Sequence, residues 1–154
     1  MGQWLWVVIM FENNIQYCRQ CIPMTQKELG YVFGVCESTV SGWETAKDTM
    51  PLTKMIRFCN LYDFSLDFLT GLSRKNETYE PIENIDLKML GSKLKKIRKK
   101  LKLSQQQMAD ECSISQSAYS NYELGDRLIT SLVIYTLCKN HNLSIDKILG
   151  RKKK

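Results

Sequence analysis

An all-α fold of two five-helix domains in tandem is predicted by three features of the sequence. Apolar residues recur at helical spacing through both halves. No alternating apolar and polar run is long enough for a sheet. A shift of 79 residues lays 11–71 on 90–150 without a gap, with 9 identities in 61 positions. The identities gather at caps, at turns and at one pair of opposite charges. Gln26, Ser38, Ser41 and Glu44 fall on Gln105, Ser117, Ser120 and Glu123, and Arg19 falls on Arg98. Cys59, Ser65, Asp67 and Gly71 fall on Cys138, Ser144, Asp146 and Gly150. The stripe Phe11, Ile15, Cys18, Ile22 matches Leu90, Leu94, Ile97, Leu101 in the same 4-3-4 spacing.

The first copy is expected to hold helices at about 9–21, 26–33, 37–44, 52–60 and 66–70. Pro23 prevents the first from continuing, and Pro51 suits the first turn of the fourth. The apolar run Trp4 to Phe11 leads into it. Eight residues fall short of the roughly 20 that a bilayer-spanning helix needs. No basic n-region or cleavage site marks a signal peptide, so no membrane role is expected. The run packs on its own domain or forms an arm for a second protomer. Residues 72–88, polar and holding Pro81, read as a linker between a domain at 1–71 and a domain at 89–150.

The second copy is expected to hold helices at about 88–101, 105–111, 116–123, 130–140 and 145–149. Ser104 and Ser115 are N-caps whose hydroxyls accept from the first turn. Cys112, Ser113 and Ile114 break the chain between two short helices, and Gly125 suits the left-handed residue that ends the second. The second of the pair carries Gln116, Ser117, Ser120 and Asn121 on one side. Small and amide side chains reach base edges, and Gln or Asn pairs bidentately with adenine. This is a helix-turn-helix with a recognition helix. The tail, 151–154, reads as a solvated basic end, disordered or lying along a phosphate backbone.

Charge separates the halves. Residues 1–71 carry 5 Lys/Arg against 7 Asp/Glu, 72–90 carry 3 against 4, and 91–154 carry 14 against 5. The half suited to a polyanion is the C-terminal one. Six cysteines stand at 18, 21, 36, 59, 112 and 138. Only Cys18 and Cys21 form a C-x₂-C, no partner motif follows at a zinc spacing, and His141 is the sole histidine. Reduced thiols in a cytosolic protein without metal or cofactor are expected.

The pieces LSQQQMAD, SISQSAYSNYELG and NLSIDKILG, with MTQKELG, VCESTVSGWE and FSLDFLTG in the first copy, resemble the Cro and phage-repressor type of helix-turn-helix domain, the XRE family. The resemblance implies two lambda-repressor-like five-helix domains that bind double-stranded DNA, with a homodimer or a pseudo-dimer of the tandem copies completing the usual two-fold pair. It implies a phosphate contact for Gln105, base reading by Gln116, Ser117 and Asn121 with Ser120 beside them, and a structural ion pair Arg98–Glu123, matched by Arg19–Glu44. Lys93, Lys102 and Arg127 stand next to these elements as further phosphate contacts.

The first copy departs where reading matters: Glu37 stands for Gln116 and Gly42 for Asn121. It keeps Gln26, Ser38 and Ser41 as a weaker DNA-binding set, or has given up reading to dimerise or hold a protein partner. Trp43 and Tyr122 belong to the interior, Tyr119 is expected half-buried, and Met10, Met24, Met55, Met89 and Met108 read as core. Asp67 and Asp146 favour helix dipoles, with no catalytic partner in view. A sequence-specific DNA-binding transcriptional regulator of repressor type is expected rather than an enzyme. An antitoxin-like protein-interaction module is the alternative.

Overall fold

The computed structural model describes residues 13–154. The run Trp4 to Phe11, Met10 and the opening of the helix expected at 9–21 lie outside the described residues. The chain divides into two compact units at Tyr79 and Glu80. Ten helices make up its helical structure among the described residues, five in each unit. None is long and apolar enough to cross a membrane.

In the first unit the helices are α1 Ile15–Cys21, α2 Gln26–Phe33, α3 Glu37–Glu44, α4 Leu52–Tyr62 and α5 Leu66–Leu69. Asn14, the residue before α1, is not helical. Its side-chain amide donates to the Phe68 carbonyl at 2.7 Å and its backbone N–H to that of Leu69 at 2.9 Å, which ties the start of the described chain to α5. Leu29, Val40, Trp43, Phe58 and Leu66 are buried, and Phe33, Phe58, Phe64 and Phe68 stack in sequence through the core.

The expected linker is not free chain. Asn76 accepts from the Ser65 N–H at 2.8 Å and donates to the Asp63 carbonyl at 3.1 Å, while Tyr79 is buried. Asn and Asp side chains hold turns of this kind, so residues 73–79 close the first unit. Glu80 begins the second, donating its backbone N–H to the Lys152 carbonyl at 2.7 Å.

In the second unit the helices are α6 Leu87–Lys100, α7 Gln105–Glu111, α8 Gln116–Leu124, α9 Ser131–His141 and α10 Ile145–Ile148. Ser104, Ser115, Thr130 and Ser144 each cap the following helix through the side-chain oxygen. Ser104 and Gln107 complete a capping box, as Thr25 and Glu28 do before α2. Four left-handed residues of the first unit lie 79 positions before four of the second: 34 and 113, 46 and 125, 63 and 142, 71 and 150. The ninth, Lys102, matches Pro23, whose ring forbids positive φ.

Three expectations about single side chains are corrected. Met89 is 59% exposed, because α6 turns Leu90 and Leu94 inward and leaves the preceding position outside. Tyr119 is wholly buried rather than half-buried. The tail is anchored at Arg151, which is buried and pairs with Asp146 at 2.6 Å.

Candidate nucleic-acid interface

Helix α8, the expected recognition helix, is set on the second unit by close approach of backbone to backbone. A Cβ on Gly91 of α6 would stand 2.4 Å from the Glu123 carbonyl oxygen and 2.7 Å from that of Tyr122. No other residue lets α6 lie so near α8. Gly125 ends α8 in the left-handed conformation, φ 72°, and a Cβ there would meet the Leu87 carbonyl at 2.7 Å. Both glycines position the site through the backbone. Their sequence signal is faint, since a glycine inside a helix reads first as a weak point.

A chain of hydrogen bonds then fixes the side chains. Arg98 donates to both oxygens of Glu123, Nε to Oε1 at 2.6 Å and Nη2 to Oε2 at 3.1 Å, and Nη1 donates to the Leu103 carbonyl at 3.1 Å. Glu123 Oε2 also accepts from Gln105 Nε2 at 2.9 Å. Gln105 Oε1 in turn accepts from Gln116 Nε2 at 3.3 Å. Burial alone would push the Glu123 carboxyl up, but the bonds from Arg98 and Gln105 outweigh it and hold it below the usual carboxylate range. The same contact pushes Arg98 up. The other N–H and the carbonyl oxygen of the exposed Gln116 amide remain for a ligand.

Ser117 is exposed, its Oγ 3.1 Å from the Ser115 Oγ. Ser120 and Asn121 are half-buried one turn on, and the Asn121 carbonyl receives the Asp126 N–H at 3.0 Å. Lys102 and Arg127 are exposed, at the turn before α7 and just after α8. Lys93 does not stand free as its expected role assumed. Its ammonium donates to the Lys147 carbonyl at 3.3 Å, at the C-terminal end of α10, where a cation suits the helix dipole. Lys95, Lys96, Lys99 and Lys100 leave the outer side of α6 exposed and basic.

The first unit repeats this scaffold with other termini. Arg19 pairs with Glu44 through both oxygens and donates to the Met24 carbonyl at 2.8 Å, and Gln26 Nε2 donates to Glu44 Oε2 at 2.7 Å. Every one of these partners lies 79 positions before its counterpart. The chain then stops, because exposed Glu37 stands where Gln116 does; exposed Asp48 stands where Arg127 does. Ser38 is exposed and Ser41 half-buried. The Ser38 and Thr39 hydroxyls lie 3.0 and 3.1 Å from the Cys36 thiol, and these bonds lower it to about 7. Three pairs among the described residues escaped the sequence: Asp146 with Arg151, His141 Nε2 with Glu111 Oε2 at 2.7 Å, and Lys88 with Asp126 at 3.4 Å. Among the described residues, no group of three or more His, Cys, Asp or Glu could hold a metal ion.

Glu123 also sets a pH dependence. A carboxyl lower in the folded than in the unfolded state stabilises the fold above its unfolded value and loses that effect as pH falls through the folded one. The second unit should therefore weaken below about pH 4.5, the ordinary value. Urea midpoints of the full chain between pH 3 and 7 should fall in this range, and less steeply in Glu123→Gln. A midpoint that rises on acidification would contradict the paired carboxylate.

A family model described as a helix-turn-helix domain matches residues 91–153. The chain is similar to a Bacillus subtilis (strain 168) protein named uncharacterized HTH-type transcriptional regulator YobD. It is 31% identical to that protein over 87 residues, 56% of this chain and 73% of the relative. A second relative from the same organism is named uncharacterized HTH-type transcriptional regulator YqaE. Identity there is 39% over 61 residues, 40% of this chain and 53% of the relative, so the match spans about half of that protein.

Proposed function

The chain belongs to the helix-turn-helix family, and on that premise we propose that it is a sequence-specific DNA-binding transcriptional regulator of the XRE type, a repressor working in the cytoplasm. The observation that carries the reading is the chain Arg98–Glu123–Gln105–Gln116, which holds one amide outward at the start of α8. Gln116, Ser117, Ser120 and Asn121 read base edges in the major groove. Gln105, Lys102 and Arg127 meet phosphates, and Lys93 adds to the field from its place at the end of α10. Phosphate contacts supply most of the affinity and base contacts the sequence choice.

The first unit is a diverged second copy of the same domain, at 1–71 with its closing segment. Matching left-handed residues and the matching Arg19–Glu44–Gln26 network support this. It has lost strong DNA reading, since Glu37 offers a carboxylate to a groove lined by phosphates and Gly42 offers no side chain. Gln26, Ser38 and Ser41 remain for weak contacts, and the copy serves association instead. A chain whose first unit clamps a protein partner, as an antitoxin would, is the second reading, favoured by the exposed carboxylates of Glu37 and Asp48.

Selection from random duplex DNA by the full chain tests the first reading. One enriched motif is expected. Gln116→Ala should relax preference at one base pair, a loss of about 1–3 kcal/mol on the preferred motif. Lys102→Ala should weaken all sequences alike and reduce the salt slope by about 1. No enriched motif, or an unchanged motif in Gln116→Ala, would sink the assignment.

A further inference from the structure

The two units differ most tellingly on the outer face of their second helix. In the first unit an open hollow of about 560 Å³ lies against α2, lined by Ile22, Pro23, Met24, Tyr31 and Val32, with Lys27 and Glu28 beside them. Tyr31 is 90% exposed. The positions 79 residues on are Leu101, Lys102, Leu103, Asp110 and Glu111, with Gln106 and Gln107. Three sites that are charged on the second unit are thus Pro23, Tyr31 and Val32 on the first. Exposed aromatic area beside an apolar hollow marks an association surface.

We propose that this face pairs the first unit with the first unit of a second copy of the chain, α2 against α2 about a two-fold axis passing between Lys27 and Glu28. The occupant follows from self-complementarity. A two-fold surface must match itself, residue i meeting j and j meeting i. With the helices antiparallel and centred between 27 and 28, Lys27 of each copy faces Glu28 of the other. The same axis lays Tyr31 and Val32, near the C-terminal end of one α2, over the hollow beside the segment that leads into the other. Each tyrosine then fills the hollow that its partner's Pro23 and Met24 border, and opposite charges meet twice beside it. The inference rests on the reading that the first unit serves association, and needs nothing about which DNA the second unit reads.

Sedimentation equilibrium of the full chain without DNA tests it. The wild-type chain should be a dimer. Tyr31→Asp, which introduces the residue found at the matching position of the second unit, should weaken the dimer by roughly 30-fold or more, the loss typical of a central aromatic. Circular dichroism should show its helices intact, as an exposed position requires. Lys27→Glu and Glu28→Lys should each weaken the dimer by like-charge contact. Glu28→Lys also loses its capping bond to Thr25, so its helix content is the control. An equimolar mixture of these two variants should restore the dimer, since one carries two acids and the other two bases. A monomeric wild-type chain, a dimer unchanged in Tyr31→Asp, or a mixture that stays monomeric would each overturn the proposal. Motif selection by the second unit is read separately, so failure here leaves the DNA reading standing and failure there leaves this one.

Discussion

Glu123→Ala should lower the stability of the second unit by about 3–5 kcal/mol, the usual effect of removing one member of a buried ion pair. The Glu123 and Arg98 side chains are only 3% and 13% exposed. Without Glu123, the Arg98 guanidinium keeps its Leu103 contact but loses both carboxylate oxygens, and Gln105 loses the acceptor that sets its amide. Domains of this size are stable by roughly 5–15 kcal/mol in all, so the loss is a large share of the total. Urea titration gives the size of the effect. The double variant Arg98→Met, Glu123→Leu should recover much of the loss, because well-packed apolar side chains often replace a buried pair without cost. Glu44→Ala makes the same test on the first unit. Losses under about 1 kcal/mol in both single variants would show that these pairs behave like surface ones.

The sequence carried the helices because each signal was local. Ser104, Ser115 and Ser144 cap where their hydroxyls allow, and the helix-turn-helix bounds fall within a residue or so of the expected ones. Arg98 and Glu123 came from the resemblance, not from spacing, since 25 positions separate them. What stayed hidden was chain folding back on itself. Nothing in the polar stretch 72–88 says that Asn76 will reach Ser65 and Asp63, because an amide in a loop finds its partners only after the helices have packed. Lys93 read as a phosphate contact by its position, and only the folded chain shows α10 placing a carbonyl beside it. Whether Tyr31 is exposed was likewise undecidable from a single helix that is apolar on more than one side. Divergence between the two copies was legible, however: Glu37 for Gln116 and Gly42 for Asn121 can be read directly from the repeat.

Removing residues 151–154 should destabilise the second unit by about 3–5 kcal/mol, although the segment reads as a solvated basic tail. Asp146 is wholly buried at the start of α10, and Arg151 reaches it twice, through Nη1 at 2.6 Å and through the backbone N–H at 2.9 Å. Gly150, at φ 80°, makes the turn that returns the chain to that carboxylate. The first unit cannot copy this, since Leu72 stands where Arg151 would be. Stopping after Gly150 leaves a buried carboxylate without its guanidinium and should lower the melting midpoint by more than roughly 10 °C. Stopping after Arg151 keeps the ion pair, gives up the bond from Glu80 to the Lys152 carbonyl, and should fall far less. The same two truncations separate folding from DNA contact. If Lys152, Lys153 and Lys154 lie along phosphates, their removal should reduce the salt slope of DNA binding by up to about 3 with only a small fall in the midpoint. Equal midpoints for both truncations would mean that the buried pair contributes nothing to the fold, and would return the tail to the solvated reading.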